Sequence, residues 1–372
     1  MKRNGKHKSM AQIYKRGSTW TARITKRVNH ELVQTSKGGF KTKVEARLWA
    51  TEQEALMLKG VDIANDPTFV QFFDEWYHTF KEKSVTSSTK KRYITHGRII
   101  SEYFQNAKLK DIKRTDYQRF LNWFGESHAP GTVHKLDTMV RDCVSSAIAD
   151  GLISMDFTAK TIIVGDDSRT RHVEYLNLDE IKRLISLCYD NRQPRYTSPY
   201  MIITAIYTGM RLGEISALNW SDIDYSSKQI SITKSWNQDR REMSQPKTES
   251  SIRTVPVNSW LLELINELKM NDCDFVFGNP LTGFPPTSQA INQALRRFLK
   301  QDNMEKRDFH FHSLRHSHVA FLLNNGVDIY AISQRLGHAN IAITLKVYAY
   351  LLDDQKQKED DKIITSLDIL NK

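Results

Sequence analysis

The feature that most constrains the fold is a change of hydrophobic periodicity along the chain. Between residues 68 and 164, apolar residues recur every three or four positions, in stretches such as "FVQFFDEWYHTFKEK" and "TVHKLDTMVRDCVSSAIADG". This spacing predicts amphipathic helices that pack as a bundle. Turn-forming residues without periodicity lie on both sides, at 61–67 and 165–175, and predict linkers. The 372 residues leave room for further domains before and after the bundle.

Residues 1–60 combine a strand-like pattern with most of the net charge. "QIYKRGSTWTARITKRV" alternates around a Gly17–Ser18 turn, and "ELVQTS" follows Asn29–His30. The T-x-x-E spacing of "TKVE" predicts a helix after these strands. With 14 Lys and Arg against 4 Asp and Glu, the segment carries +10 of the net charge of +11. We therefore predict a three-stranded sheet with one helix that binds a polyanion, rather than a solvated tail.

Residues 176–352 have mixed periodicity and predict a third domain. Asn177 and Glu180 have the spacing of a capping box before "LDEIKRLISLCYD". "KQISITKSW" and "SSIRTVPV" predict a β-hairpin around a long polar loop, and helical patterns return in "SQAINQALRRFLKQ" and "IAITLKVYAYLL". Residues 353–372 form a tail with a charged spacer and a short apolar cluster. The predicted class is α+β multidomain: a small sheet with a helix, a helical bundle, and a mainly helical domain with a small sheet.

Several classes of protein are disfavoured by what the sequence lacks. It contains no apolar run that could span a bilayer and no apolar signal region near "MKRNGKHKSM", and its three cysteines are widely separated. It has neither a GxxxxGK[ST] motif nor an acidic cluster for paired magnesium ions, so we expect no cofactor. His312 and His316 have the i, i+4 spacing of zinc ligands. However, Ser313 replaces the glutamate of HExxH, and Arg315 would repel a metal cation.

The His/Arg stretch fits an anion better than a metal. His312, Arg315 and His316 share one helix face by their i, i+3, i+4 spacing. Arg211, in "YTGMRLGE", could join Arg315 in bidentate recognition of one phosphate. Other candidates follow in "SQPKTESSIRTVPV" and "LGHANIAITLKVY", namely Lys247, His338 and Tyr348. Each of these residues alone has an ordinary explanation, such as ion pairing, loop solvation, capping or packing.

Together, these segments resemble the tyrosine recombinase (phage integrase) family. The order Arg, Lys, His-x-x-Arg, His, Tyr matches that family's motifs, the basic head resembles an arm-site DNA-binding domain, and the bundle resembles a core-binding domain. The resemblance implies a recombinase that integrates and excises a phage or other mobile element in the bacterial cytoplasm. It implies double-stranded DNA with core and arm sites as substrate, a homotetramer on DNA, accessory DNA-bending or directionality proteins, and neither cofactor nor membrane.

The resemblance also implies a role for each candidate residue. Tyr348 would attack the scissile phosphate to form a 3′-phosphotyrosyl link. Arg211 and Arg315 would stabilise the charge of the phosphorane, and Lys247 would protonate the departing 5′-oxygen. His312 would accept the phenolic proton and His338 would donate to a phosphate oxygen. Glu214 would orient the site, while His316 and His318 would be structural or face DNA.

Basic residues of the first two domains are the candidates for contacts with the DNA backbone. In the head these are Lys15, Arg16, Arg23, Lys26 and Arg27. In the bundle they are Lys90, Lys91, Arg92, Arg98 and Arg114.

Other functions remain as alternatives. A conjugative-transposon integrase has the same three-part layout, whereas a chromosome-dimer resolvase typically lacks the basic head. A type IB topoisomerase is disfavoured by the short catalytic domain. A catalytically dead DNA-binding regulator would bind DNA without a covalent adduct, and a metal-dependent nuclease would stop in chelator.

Overall fold

The computed structural model describes residues 11–28, 31–58, 66–245, 249–342, 344–345, 347–348, 364 and 367, without the side chains of 26–28, 31–33, 56–58 and 249. The chain divides into two compact units, Met1–Thr170 and Arg171–Lys372. Both helices and small sheets are present, as the predicted α+β class requires. Residues 61–65 of the predicted linker 61–67 and most of the tail lie outside the described residues.

The first unit begins with an antiparallel sheet in the order β1 (Ala11–Arg16), β2 (Thr19–Val28), β3 (Glu31–Phe40). The turn between β1 and β2 contains Gly17 at φ +62°, a conformation that glycine adopts without strain. Helix α1 (Lys43–Leu58) packs on one face of the sheet, around small apolar side chains of β2 and α1, namely Ala22, Ile24, Ala46 and Ala50. The predicted sheet and helix are confirmed, with β3 longer than the "ELVQTS" segment.

The rest of the first unit is helical, as predicted. It contains α2 (Phe69–Trp76) with a π-helical turn at Tyr77–Lys81, α3 (Ser87–Phe104), α4 (Arg114–Gly125) and α5 (Pro130–Ala149). Aromatic side chains fill much of its core, and edge-to-face contacts join Phe69 to Phe104 and Phe157. The buried indole of Trp76 donates a hydrogen bond to Ser146 Oγ at 2.9 Å.

The second unit is built around one almost entirely buried helix. Helix α6 (Leu178–Asp190) begins at the predicted capping box, where the amide of Glu180 donates to Asn177 Oδ1 at 2.9 Å. It precedes the buried α7 (Ser198–Thr208), which packs against α6 and later helices. The other helices are α8 (Leu212–Ser216), α9 (Ser259–Asn266), α10 (Ser288–Gln301), α11 (Phe311–Asn324) and α12 (Ile329–Leu336). Residues 341–342, 344–345 and 347–348 are also helical.

The predicted β-hairpin is confirmed in its pairing but not in its loop. Strands β4 (Ile223–Asp224) and β5 (Gln229–Ile232) precede a separate two-stranded hairpin of β6 (Ser235–Asn237) and β7 (Glu242–Ser244). The chain then returns as β8 (Arg253–Pro256), which pairs antiparallel with β5. The connection predicted as a long polar loop thus contains a hairpin that the sequence analysis did not predict. Trp236 of β6 explains this additional hairpin. Its ring centroid lies 5.1 Å from that of Phe275, and this contact holds the β6–β7 hairpin against the domain.

Candidate active site

Arg211 is positioned by a tight turn between two helices. Helix α7 ends at Gly209, which is left-handed at φ +66°, and Arg211 caps the start of α8. A Cβ atom at Gly209 would lie 2.6 Å from Cδ2 of His318, so a larger residue would collide. The amide and Nη1 of Arg211 donate to the carboxylate of Glu214 at 2.9 and 2.8 Å. With its side chain 38% exposed, Arg211 can still meet a ligand.

Arg315 is a buried cation that joins three segments. Its Nη1 donates to the carbonyl oxygen of Gly209 and its Nη2 to that of Leu336, both at 2.7 Å. Burial, and next the charge of Arg211, lower the pKa of Arg315 to about 9, which keeps it protonated at neutral pH. A guanidinium has five N–H donors, so these contacts do not use up its capacity. Arg315 therefore places a fixed positive charge between α7 and α12.

His338 lies beside that guanidinium. It follows Gly337, which ends α12 in a left-handed conformation at φ +67°. Nη2 of Arg315 lies 2.9 Å from His338 Nε2, and because a guanidinium only donates, Nε2 is the acceptor. Nδ1 then carries the proton and donates to Thr344 Oγ1 at 2.7 Å. Burial, followed by the charge of Arg315, lowers the pKa of His338 to about 4.

Tyr348 is buried against α11 and α12, with only 2% of its surface exposed. Its Oη lies 2.6 Å from Nδ1 of His316. Burial, and next the charge of Arg315, lower the pKa of His316 to about 4, so the imidazole is neutral at pH 7. His312 lies one helical turn earlier, exposed, with its ring centroid 5.1 Å from that of His316. The residue next to the phenol oxygen is thus one for which sequence reasoning assigned no step.

Sequence reasoning also missed Arg253, at the start of β8. Its Nη2 and Nη1 donate to Glu214 at 2.9 and 3.2 Å, and its Nε donates to the carbonyl oxygen of Arg335 at 2.7 Å. Burial by itself would raise the pKa of Glu214, but hydrogen bonds and charge from Arg253 and Arg211 hold it below its usual range. The sequence offered one signal for this residue, namely a charged side chain within the strand-like segment "SSIRTVPV". Glu214 thus accepts hydrogen bonds from both Arg211 and Arg253.

His318 is structural rather than DNA-facing. It is 3% exposed, and its Nδ1 donates to the carbonyl oxygen of Ile206 at 2.8 Å. Arg335 Nε donates to the other ring nitrogen at 3.1 Å. This histidine therefore holds α11 against the end of α7, close to the turn that carries Arg211.

Lys247 lies outside the described residues, in a segment that begins shortly after β7 ends at Ser244. Among the residues that the structure does describe, no group of three or more His, Cys, Asp or Glu is arranged to hold a metal ion. Nor does any helix within the described ranges have the length and hydrophobicity needed to cross a membrane.

The basic residues of the head divide between two faces of its sheet. Along β2, Ala22 and Ile24 point towards α1, so Arg23 lies on the opposite face, where its Nη2 donates to Tyr14 Oη at 3.2 Å. Arg16, two positions after Tyr14, shares this open face. Lys15 pairs with Trp20 on the helix side. Lys26 and Arg27 belong to β2, but their side chains are not described.

The basic residues of the bundle lie at or near its surface. Lys90 is half-buried on α3, while four other candidates are exposed on α3 and at the start of α4, namely Lys91, Arg92, Arg98 and Arg114.

Comparison with known proteins identifies the family. Residues 174–355 match the phage integrase family, and residues 68–124 match the SAM-like N-terminal domain of phage integrases. A tyrosine recombinase XerC-like protein of Caldanaerobacter subterraneus subsp. tengcongensis is 25% identical over 90% of this chain and 93% of its own length. The ICEBs1 integrase of Bacillus subtilis is 27% identical over 73% of this chain and 76% of its own length.

Solved structures show the same fold. The integrase of transposon Tn1549, in complex with a circular intermediate DNA, superposes with a TM-score of 0.68 at 20% identity, over 80% of this chain and 99% of that one. A lambda integrase tetramer bound to a Holliday junction gives a TM-score of 0.60 at 16% identity, over 88% of this chain and 95% of that one. The resemblance seen in the sequence is confirmed: the chain belongs to the phage integrase family and is a tyrosine recombinase.

Proposed function

We propose that this recombinase cuts and rejoins double-stranded DNA through a 3′-phosphotyrosyl intermediate formed on Tyr348, in the integration and excision of a mobile element. The convergence of Tyr348, Arg315 and His338 carries the proposal. Two neighbouring side chains of α11 connect these residues. His316 Nδ1 lies 2.6 Å from the phenol oxygen of Tyr348, and Arg315 Nη2 lies 2.9 Å from His338 Nε2. A nucleophile and a buried cation in one cluster are what phosphoryl transfer requires.

The two arginines suit different parts of the charge stabilisation. A phosphorane carries more negative charge than the phosphodiester, so fixed cations lower the barrier. Arg315 supplies a charge whose position is set by two carbonyl oxygens, while the half-exposed Arg211 can approach the phosphate from the surface. Glu214 keeps Arg211 oriented without reacting itself.

The role of His338 requires a rearrangement when phosphate arrives. As placed, its Nε2 accepts from Arg315 and its Nδ1 donates to Thr344, so neither nitrogen can donate to a phosphate oxygen. A phosphate would take the N–H of Arg315, and its negative charge would raise the pKa of His338. His338 would then be protonated on both nitrogens and donate to the phosphate.

Lys247 would act as general acid for the 5′-oxygen, as the family resemblance implies.

DNA and further copies of this chain are the proposed partners. The basic head would bind arm sites and the bundle would bind the core site, because their exposed Lys and Arg side chains can contact the phosphate backbone. Recombination of two duplexes requires four strand cleavages, so four active sites must assemble. Lambda integrase forms such a tetramer on a Holliday junction. Accessory DNA-bending or directionality proteins would set the direction of the reaction.

We further propose that the gene belongs to a mobile element. A mobile element is supported by the basic head and by the similarity to the ICEBs1 integrase and to an integrase of Staphylococcus phage L54a. The similarity to XerC-like recombinases keeps chromosome-dimer resolution as the alternative. A conjugative transposon and a phage would use the same chemistry. Sequencing the ends of the element that carries this gene would separate the two.

The proposal is tested with a nicked suicide duplex that carries the core site, recovered from the junction between the element and its host chromosome. We expect a covalent adduct, formed in chelator, that mass spectrometry maps to Tyr348. Binding without an adduct would indicate a regulator, and cutting that stops in chelator would indicate a metal-dependent nuclease. Relaxation of plasmids that lack the site would indicate a topoisomerase.

A further inference from the structure

The hydrogen bond between His316 and Tyr348 connects the proposed nucleophile to a residue without an assigned role. Oη lies 2.6 Å from Nδ1, and the two ring centroids are 5.6 Å apart. Tyr348 is 2% exposed and His316 is half-buried, so the contact lies inside the domain. The separation is within the range expected between a proton donor and its acceptor.

The surroundings of this pair decide which partner can give up a proton. Burial lowers the pKa of His316 to about 4, with further contributions from Arg315 and His310, so its imidazole is neutral at pH 7. A tyrosine phenol has a pKa near 10 in water and is protonated at the same pH. A neutral imidazole has one nitrogen with a free lone pair. With the proton on Nε2, Nδ1 accepts the phenolic hydrogen bond and can also take the proton.

We propose that His316 is the residue that removes the phenolic proton of Tyr348 during strand cleavage. This inference rests on the proposed function of Tyr348 as the nucleophile. The Oη–H bond breaks and its proton moves to Nδ1, while Oη forms a bond to phosphorus. The bond between phosphorus and the 5′-oxygen breaks, and that oxygen takes a proton from the general acid. In the rejoining step, His316 returns its proton to the departing phenol.

His312, the proton acceptor that the family resemblance suggests, is placed differently. It lies one helical turn before His316, and its ring meets the ring of His316 edge-on at 5.1 Å. His312 is exposed, whereas the phenol oxygen is covered by the domain. An exposed imidazole beside two arginines suits a contact with the incoming phosphate. His316 is therefore the better acceptor for the phenol and His312 the better ligand for the substrate.

Substrate binding would raise the pKa of His316 and so make it a stronger base. An imidazole with a pKa near 4 is a weak base; burial is the largest cause of that low value, and the charge of Arg315 is the next. A phosphate bound to Arg315 would bring negative charge beside the cation and so raise the pKa of the imidazole. His316 would thus be a stronger base when the scissile phosphate is in place than in the free protein.

The variant His316→Asn separates proton transfer from positioning. An asparagine amide can occupy the position of Nδ1 and hydrogen-bond to the phenol, but it cannot take a proton. We expect adduct formation on the suicide duplex to slow by roughly 10²- to 10⁴-fold, with gel-shift affinity for the same duplex retained. His312→Asn is the comparison variant, because any loss there would come from the phosphate contact and a more acidic phenol should not recover it. Replacing the tyrosine at position 348 by the more acidic 3-fluorotyrosine should recover part of the loss in His316→Asn. The same replacement should not recover the cleavage rate of Arg315→Lys, because that variant loses charge stabilisation of the phosphorane and not proton transfer.

Near-normal cleavage by His316→Asn would overturn the proposal, as would rescue by fluorotyrosine in His312→Asn instead. A wild-type chain that forms no adduct at Tyr348 would refute the proposed function. A second measurement needs neither DNA nor a stable His316 variant. In the full chain labelled with 15N-histidine, Tyr348→Phe should shift the Nδ1 resonance of one histidine. A histidine spectrum unchanged by Tyr348→Phe would refute the contact itself.

Discussion

The carboxylate of Glu214 accepts two hydrogen bonds from Arg253, at 2.9 and 3.2 Å, and both side chains are only 6% exposed. Because Arg211 donates to the same carboxylate and Arg253 also holds the carbonyl oxygen of Arg335, this pair ties the Arg211 turn to β8 and the end of α12. The orientation of one proposed catalytic arginine thus depends on a buried ion pair.

We expect Glu214→Gln to destabilise the second unit strongly. Removing one partner leaves the buried Arg253 uncompensated, which costs about 3–5 kcal/mol in comparable pairs. Urea unfolding followed by tryptophan fluorescence would measure the loss. The control is Glu242→Gln, which breaks an ion pair with Arg240 whose two side chains are each 49% exposed. Its cost should be about 0–1 kcal/mol. Equal effects of the two variants would contradict the buried-pair interpretation.

Arg211→Lys and Arg315→Lys should each lower the rate of strand cleavage by about 10²-fold or more. An ammonium keeps the charge but loses the planar arrangement of donors. Arg315→Lys should also lower the thermal midpoint, because one ammonium cannot reproduce the contacts with Gly209 and Leu336. Single-turnover adduct formation measures the cleavage rates and a thermal melt the midpoint, with Arg183→Lys at a surface ion pair as control. Near-normal cleavage by either active-site variant would make that arginine a structural residue.

Tyr348→Phe should abolish the covalent adduct and leave DNA affinity nearly unchanged. The substitution removes the oxygen that we propose attacks the phosphate, together with its hydrogen bond to His316, but keeps the buried ring. Tyr330→Phe, at a residue that is 60% exposed, is the control and should cleave normally. An adduct that persists in the Tyr348→Phe variant, or that maps to Tyr330 or Tyr350, would show that another tyrosine attacks.

Local signals were sufficient to predict most of the fold. Periodicity locates helices because one face of each must be buried, and the capping boxes at Thr42 and Asn177 form as their spacing predicts. The β6–β7 hairpin was missed because its strands have three residues each, too few for a pattern, and depend on Trp236 packing against residues far along the chain.

The site was harder to predict because its contacts join distant positions. Arg253 and Glu214 are 39 residues apart, and nothing local to either one indicates the other. Likewise, His312 and His316 lie on one face of α11, so spacing cannot decide which one meets Tyr348. That choice depends on where the segment after α12 packs, which is a property of the folded domain.

The open face of the N-terminal sheet should be the part of the head that contacts DNA. Arg16 and Arg23 lie on this face with Tyr14, whereas Lys15 lies on the side of α1. Each phosphate contact releases counterions, so its loss reduces the slope of log K against log salt by about 0.9. We expect Arg16→Gln with Arg23→Gln to lower that slope by about 2 on arm-site DNA.

Lys15→Gln is the matched control, because it removes one positive charge from β1, next to Arg16, but from the face opposite to Arg16 and Arg23. It should leave the salt slope nearly unchanged, and all of these variants should cleave the core site normally. A slope that falls equally for Lys15→Gln and for Arg23→Gln alone would mean that only the net charge of the head matters. In that case the head would attract DNA through its total positive charge, and the open face of the sheet would not be a specific DNA-binding surface.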